Sequence, residues 1–177
     1  MTDVEVPAEP VAPVRTPGGV ARGLLKTMRP RQWVKNILVF AAPFVGGDLL
    51  TPGIVPKLLI AFVAFSLAAS GIYLVNDAKD VVADRAHPTK RFRPIAAGVV
   101  APRLAIAVAV VLLGASVAVS LLASVQLVVV LAVYVVVQLA YCFWLKHQPV
   151  LDICIVASGF LLRAIAGGAA VGIGLSQ

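Results

Sequence analysis

Long runs of apolar residues constrain the fold of this chain more than any other feature of its sequence. Three of them, at 58–75, 104–122 and 125–143, contain no charged side chain. Each approaches the roughly 20 residues that an α-helix needs to cross the hydrocarbon core of a bilayer. A fourth run, at 150–173, is interrupted by two charged residues. We therefore expect an all-α integral membrane protein built as a multi-span helical bundle.

A weaker candidate for a fifth span lies at 33–50. It is largely apolar, but Lys35 falls in its first turn, and Pro43, Gly46 and Gly47 interrupt its second half. Proline and glycine both disfavour a long, regular helix. We predict a short, bent or tilted span here.

The amino-terminal residues 1–22 have a different character. They are rich in Pro, Ala and Val without any helical or strand period. They also lack the basic start and apolar centre of a signal peptide. We predict that 1–22 form a disordered cytoplasmic tail and that the membrane domain occupies 23–177.

The formal net charge of +7 is distributed unevenly along the chain. Basic residues concentrate before the first span, in the loop after the second and in the loop after the fourth, whereas the opposite loops hold only Lys57. Positively charged loops tend to stay on the cytoplasmic side of a membrane. We therefore predict a multi-pass protein of the plasma (inner) membrane with a cytoplasmic amino terminus. Because topology accounts for the charge, no nucleic-acid partner is expected.

The loop at 76–98, "NDAKDVVADRAHPTKRFRPIAAG", concentrates both signs of charge. Its first half places Asn76, Asp80 and Asp84 at positions i, i+4 and i+8, which share one face if the second span continues as a helix beyond the membrane. Asp77 falls about 100° away and is a weaker candidate for that face. Oxygen ligands suit Mg²⁺, which takes few protein carboxylates and completes its shell with water and substrate phosphate. The spacing predicts half of a metal–phosphate site.

Basic residues follow these acids directly. The run "HPTKRFRP" is broken by Pro88 and Pro94, so it presents Lys90, Arg91 and Arg93 on a constrained loop. Arginine and lysine bind phosphate, and a diphosphate requires both a cation and such bases. The competing interpretations are a solvated helix extension for the acids and the topological bias alone for the bases.

Two further groups of residues lie on or near the same side. Tyr141, Lys146 and Asp152 surround the connection between the fourth and fifth spans. Arg163 lies well inside the last span, where a charge is costly and usually faces a polar cavity or a partner. We expect it to reach a ligand phosphate or an acid on another helix, with a purely structural buried ion pair as the alternative.

The runs "RPRQWVKN", "HPTKRFRPIAAG", "AYCFWLKH" and "LLRAIAGG", together with the acidic motif, resemble the UbiA superfamily of intramembrane prenyltransferases. The similarity extends from about Arg29 to the end of the chain, and it is strongest to the branch that transfers a phosphoribosyl group. The resemblance implies a ring of nine transmembrane helices around a central cavity, of which about five are present here.

The same resemblance implies a reaction. The 5-phosphoribosyl group of phosphoribosyl pyrophosphate would be transferred to decaprenyl phosphate, releasing pyrophosphate, in the synthesis of cell-wall arabinan precursors. It implies Mg²⁺ as cofactor, held by Asn76, Asp80 and Asp84, with Asp80 and Asp84 as the catalytic pair. The implied substrate contacts are Lys35, Arg85, Lys90, Arg91, Tyr141, Lys146 and Arg163.

Five of nine helices would leave the cavity open on one side, and the second polar motif of the family is absent from the sequence. We therefore expect residues 1–177 to be inactive by themselves.

Three alternatives to the implied reaction remain: a superfamily member that joins a polyprenyl chain to an aromatic acceptor, a cation transporter, and a non-catalytic subunit. The acids are predicted at the membrane edge beside bases rather than near the bilayer midplane, which argues against transport. Partners are thus the two substrates and the lipid bilayer, with homo-oligomerisation left open.

Overall fold

The computed structural model describes residues 16–145 and 149–172, and all regular secondary structure in these residues is helical, without a β-strand. They form seven α-helices, joined by 3₁₀-helical segments at Pro30–Phe40 and Lys90–Phe92 and by a π-helical turn at Tyr141–Leu145. The fold class expected from the sequence is thus confirmed. The α-helices are α1 (Pro17–Met28), α2 (Ala41–Val45), α3 (Ile54–Lys79), α4 (Val81–Ala86), α5 (Pro102–Leu121), α6 (Val125–Ala140) and α7 (Pro149–Val171).

Four helical segments in the described residues are long and apolar enough to cross a membrane. They are α3, α5, α6 with its π-helical turn (Val125–Trp144), and the main part of α7 (Leu151–Val171). Each overlaps one of the four long apolar runs in the sequence. A helix suits such a run because it pairs all of its backbone hydrogen-bonding groups internally, which a lipid environment requires.

The expected weak span at 33–50 has a different structure. The 3₁₀-helical segment Pro30–Phe40 is followed by the short α2, and neither meets the length of a spanning helix. Contact with α7 accounts for part of this geometry: a Cβ atom on Gly167 would overlap the carbonyl oxygen of Val39. The backbones meet there, so this segment is shaped by tertiary packing rather than by its own hydropathy.

The boundary of the amino-terminal tail also differs from the sequence expectation. Helix α1 begins at Pro17, with Thr16 as its N-cap accepting a hydrogen bond from the Gly19 amide at 3.2 Å. Residues 17–22 are therefore helical, because a Ser or Thr cap followed by proline is a strong helix start. The rest of the expected tail, residues 1–15, lies outside the described residues.

Helix α3 lies at the centre of the helical packing. Gly71 allows α5 to approach closely, since a Cβ there would lie 3.2 Å from the Ala109 carbonyl oxygen. On another side, Phe65 packs against the ring of Tyr134 on α6, with ring centroids 5.1 Å apart. The packing fixes α3 from several directions, and with it the polar residues at its carboxyl-terminal end.

Candidate active site

The polar face expected from the acidic motif is present. Helix α3 ends at Lys79, but the backbone keeps helical hydrogen bonds across the junction with α4, from the Asp80 amide to Asn76 at 3.0 Å and from the Asp84 amide to Asp80 at 2.8 Å. The junction therefore preserves the i, i+4, i+8 register. Asn76, Asp80 and Asp84 line one cavity.

This first cavity has a volume of about 490 Å³ and lies between the α3–α4 junction, the loop after α4 and the end of α6. Lys90 and Tyr141, both expected from the sequence, line it as well. Acidic and basic side chains thus face the same space, as a metal–diphosphate site requires. The polar lining consists of Arg29, Tyr73, Asn76, Asp80, Asp84, Lys90, Arg93, Gln138 and Tyr141.

A network of ion pairs orients two of these arginines. The buried Asp77 accepts hydrogen bonds at its Oδ1 from Arg29 Nη2 at 2.9 Å and from Arg93 Nη1 at 3.3 Å. Arg93 Nη1 also lies 2.8 Å from Oδ2 of Asp84, whose carboxylate is buried. Asp77 does not line the first cavity, as its angular position on the helix predicts, but it fixes the guanidinium groups that do.

The backbone at Arg29 is unusual. Its φ of 54° and ψ of 60° place it in the left-handed region, which is rare for residues other than glycine. The conformation ends α1 and begins the 3₁₀-helical segment, and it brings the guanidinium 4.6 Å from the centre of the Tyr73 ring. A residue held in such a conformation by charged and aromatic contacts is a candidate for function.

A second cavity, of about 130 Å³, adjoins the first. The two share Tyr73, Gln138 and Tyr141 in their walls. Lys35 and Arg163 are the charged residues that line the second cavity, and no acid among the described residues does so. This cavity therefore suits an anion without a metal.

Arg163 is buried and makes only neutral contacts within the described residues. Its Nε donates to Asn36 Oδ1 at 2.7 Å, its Nη1 to the Gly159 carbonyl at 2.6 Å and its Nη2 to the Tyr134 hydroxyl at 3.0 Å. The expected alternative of an acid on another helix is absent from these contacts. A buried guanidinium without a carboxylate retains its full charge for a ligand.

Two of the expected substrate contacts, Arg85 and Arg91, line neither cavity. Arg85 is exposed and donates from Nε to the Ala96 carbonyl at 3.1 Å. Arg91 is exposed and lies 4.9 Å from the ring centre of Phe92. Lys146 falls outside the described residues.

Some residues of the site, among them Arg29 and Gln138, are not predicted from the sequence. Arg29 belongs to the run "RPRQWVKN" but is not among the substrate contacts that the resemblance implies. Arg93 is one of the three bases expected on the constrained loop, although the resemblance does not add it to the substrate contacts. Gln138 offers no signal, since it is one polar residue in an apolar helix. Its place between the two cavities depends on how α6 packs.

The donor set can be tested against the implied Mg²⁺. No group of three or more His, Cys, Asp and Glu side chains in 16–145 and 149–172 is arranged to hold a metal ion by itself. The set here is two carboxylates, Asp80 and Asp84, with the amide of Asn76. It fits an ion that takes one or two carboxylates and relies on substrate phosphate for the rest.

Comparisons with known proteins identify the family of the chain. Residues 37–177 match the UbiA prenyltransferase family. The chain is 56% identical over 180 residues to the decaprenyl-phosphate phosphoribosyltransferase of Mycolicibacterium smegmatis, covering 99% of this chain and 56% of the relative. It is 55% identical over 165 residues to the protein of the same name from Mycobacterium tuberculosis (H37Rv), covering 91% and 55%.

The fold comparison gives a solved structure of similar fold. A solved structure of a digeranylgeranylglyceryl phosphate synthase superimposes with a TM-score of 0.74 at 17% identity, covering 85% of this chain and 53% of that protein. The chain thus spans about half the length of the relatives that it matches. The family match covers most of the chain, and the resemblance first inferred from its motifs is confirmed. This chain belongs to the UbiA prenyltransferase family.

Proposed function

We propose that the two cavities form part of an active site that transfers the 5-phosphoribosyl group of phosphoribosyl pyrophosphate to decaprenyl phosphate and releases pyrophosphate. The observation that carries the proposal is the first cavity, where Asp80 and Asp84 face the same space as Arg29, Lys90 and Arg93. The high identity to two proteins named for this activity supports the choice of reaction. Because the chain spans about half the length of these relatives, the complete activity is proposed for a protein of their full length.

The chemistry explains why both signs of charge are needed. Cleavage of the anomeric C–O bond develops positive charge on the ribose and negative charge on the departing pyrophosphate. Arg29, Lys90 and Arg93 are positioned to stabilise the departing oxygens through charge-assisted hydrogen bonds. Mg²⁺ held by Asp80, Asp84 and Asn76 would neutralise further charge on the diphosphate. Catalysis would rest on positioning and on charge stabilisation.

The second cavity suits a phosphate monoester. Both substrates carry one, the 5-phosphate of the donor and the phosphate of the polyprenyl acceptor. The acceptor phosphate is already ionised, so it requires little help from a general base. Lys35 and Arg163 would hold one of these groups. Gln138 and Tyr141 line both cavities, so they lie between this phosphate and the diphosphate in the first cavity.

The location of the site suits a lipid acceptor. Asn76, Asp80 and Asp84 lie at the end of a membrane-length helix. A polyprenyl tail could thus remain in the bilayer while its head group meets a water-soluble donor. We propose that this end lies on the cytoplasmic side of the plasma membrane, because the basic loops cluster there. The product would feed arabinan precursor synthesis.

The proposal is tested by replacing Asp80 and Asp84 with Asn, one at a time, in the longest chain that the gene encodes, purified into detergent or lipid. Mg²⁺-dependent transfer from labelled phosphoribosyl pyrophosphate to decaprenyl phosphate should fall about 100-fold or more in each variant, as expected for losing a group that stabilises developing charge. Asp48→Asn removes the same charge from a loop outside both cavities, and it should transfer normally.

Two results would contradict the proposal in different ways. Near-normal rates in both site variants would reject the metal assignment. Transfer from labelled polyprenyl diphosphate to an aromatic acceptor, without phosphoribosyl transfer, would keep the metal–diphosphate site and reject the substrates.

A further inference from the structure

Arg93 contacts two carboxylates that differ in their surroundings. Its Nη1 lies 2.8 Å from Oδ2 of Asp84 and 3.3 Å from Oδ1 of Asp77. Both carboxylates are almost completely buried, with side-chain exposures of 4% for Asp84 and 3% for Asp77, whereas 27% of the Arg93 side chain is exposed. The arginine therefore reaches from the open cavity towards two acids that need a counter-charge.

The two acids have different roles in this arrangement. Asp84 lines the first cavity and belongs to the proposed cation-binding face, so a divalent cation and Arg93 would compete for it. Asp77 lies outside that cavity lining and also accepts from Arg29 at 2.9 Å. Asp77 can remain hydrogen-bonded to Arg93 whether Asp84 binds Arg93 or a cation.

We propose that Arg93 is an exchangeable counter-ion, bound to Asp84 when no divalent cation is present and turned to the diphosphate when a cation occupies Asp84, with Asp77 as its fixed anchor. The inference rests on the proposed function, since it assumes a site for a cation and a diphosphate. It goes further by assigning Arg93 two alternative partners and Asp77 a positioning role.

A thermodynamic consequence follows from this exchange. A cation that binds alone must displace Arg93 from Asp84 and then lie beside its positive charge. Pyrophosphate removes that penalty, because the guanidinium can donate to its oxygens. The cation and pyrophosphate should therefore bind cooperatively, and each should raise the affinity for the other by the same factor.

The test measures binding rather than activity. Mn²⁺, which prefers the same oxygen ligands as Mg²⁺, is titrated into the longest chain that the gene encodes, with and without inorganic pyrophosphate, and followed by electron paramagnetic resonance and calorimetry. Pyrophosphate also chelates Mn²⁺ in solution, so the free Mn²⁺ concentration is used to calculate each affinity. In the unaltered protein, the affinity for free Mn²⁺ should be about tenfold higher, or more, with pyrophosphate than without it, which is within the usual range of coupling between sites.

Arg93→Gln should change the two measurements in opposite directions. The Mn²⁺ affinity without pyrophosphate should rise about five- to tenfold, because the competitor for Asp84 is gone, while the coupling to pyrophosphate should fall below about threefold. Arg85→Gln is the matched control. It removes the same charge from the neighbouring helix α4, where Arg85 lines neither cavity. Within the described residues Arg85 donates to the Ala96 carbonyl, so both quantities should stay near those of the unaltered protein.

A second variant covers the case in which Arg93→Gln does not fold. Arg93→Lys keeps the charge on a single ammonium but loses the further N–H groups with which the guanidinium could donate to pyrophosphate while Nη1 stays on Asp77. Its coupling should therefore fall between those of the unaltered protein and Arg93→Gln. An unchanged or weaker Mn²⁺ affinity in Arg93→Gln, or full coupling in Arg93→Lys, would overturn the exchange while leaving the cation site in place. If the unaltered protein bound no Mn²⁺ even with pyrophosphate, the proposed cation site itself would fail, and the exchange with it.

Discussion

The Nζ atom of Lys79 donates a hydrogen bond to the carbonyl oxygen of Cys142 at 2.6 Å and so joins the end of α3 to the π-helical turn after α6. The same ammonium donates to the Phe143 carbonyl at 2.9 Å and lies 4.6 Å from the centre of its ring. Cys142 in turn places its Sγ 3.5 Å from Oδ1 of Asn76. These contacts connect the acidic wall of the first cavity to the wall that carries Tyr141.

Replacing Lys79 by Met should separate these two walls. Methionine keeps most of the apolar stem but leaves the two carbonyls without their charged donor, which should cost about 1–2 kcal/mol of stability, since charge-assisted hydrogen bonds are worth about 1.5–3 kcal/mol and this lysine is partly solvated. Thermal unfolding in detergent should occur a few degrees lower, and the KM for the donor should rise more than kcat falls. Lys57→Met, at the opposite end of α3, is the control, and equal effects in the two variants would refute the connection.

The register of the acids could be predicted from the sequence, whereas their companions could not. Spacing places Asn76, Asp80 and Asp84 on one face, and the helical hydrogen bonds kept across the α3–α4 junction preserve that register. The role of Asp77 depends on Arg29, which lies 48 residues away in the sequence. A helical wheel contains no information about a partner on another element. It therefore identifies Asp77 only as an acid that lies off the face formed by Asn76, Asp80 and Asp84.

Arg29 should contribute to donor binding through its shape as well as its charge. Arg29→Lys keeps the charge but loses both the planar contact with Tyr73 and the directed hydrogen bond to Asp77. We expect the KM for phosphoribosyl pyrophosphate to rise about tenfold with little change in kcat, because a compact ammonium does not replace a guanidinium that contacts an aromatic ring and a carboxylate at once. Arg22→Lys, on the exposed surface of α1, should leave both constants unchanged. A selective loss of kcat in Arg29→Lys would assign it a role in the chemical step instead.

The close approach of α7 to the 3₁₀-helical segment should make Gly167 intolerant of any side chain. Gly167→Ala would place a methyl group against the carbonyl oxygen of Val39, and a backbone atom cannot move aside as a flexible side chain can. We expect a loss of about 2–4 kcal/mol of stability, in the upper range for overpacking. The loss of stability would be detected as a lower temperature of aggregation in detergent.

Gly114→Ala provides the comparison for that variant. A Cβ on Gly114, which lies in α5, would meet no atom within 4 Å, so the substitution should leave stability unchanged or raise it slightly. Similar behaviour of the two alanine variants would show that the backbones of α7 and the 3₁₀-helical segment are not in contact. Hydropathy could not have predicted this contact. It favoured a span at 33–50, whereas the observed geometry depends on a glycine in the last described helix.

The pairing of Asn36 with Arg163 links residues 127 apart, and it gives the sharpest prediction for the second cavity. Asn36→Asp is nearly isosteric and converts a neutral acceptor at 2.7 Å into a carboxylate. The new ion pair would neutralise the guanidinium in place. The same substitution removes the hydrogen bond that Asn36 Nδ2 donates to Ser66 Oγ at 3.0 Å, which offsets the gain from the ion pair. The net change in stability should therefore stay within about 1 kcal/mol.

Activity should respond more strongly than stability. An anion that enters the second cavity would then meet a guanidinium already neutralised by the introduced carboxylate, so phosphoribosyl transfer should fall about tenfold or more through a raised KM for the substrate held there. Measuring the KM of the donor and of the polyprenyl phosphate separately identifies which phosphate monoester occupies the cavity. Asn36→Gln, which keeps neutrality but changes length, separates the charge effect from packing. If Asn36→Asp lowered stability without changing either KM, Arg163 would serve the packing of α6 and α7 alone and would bind no substrate.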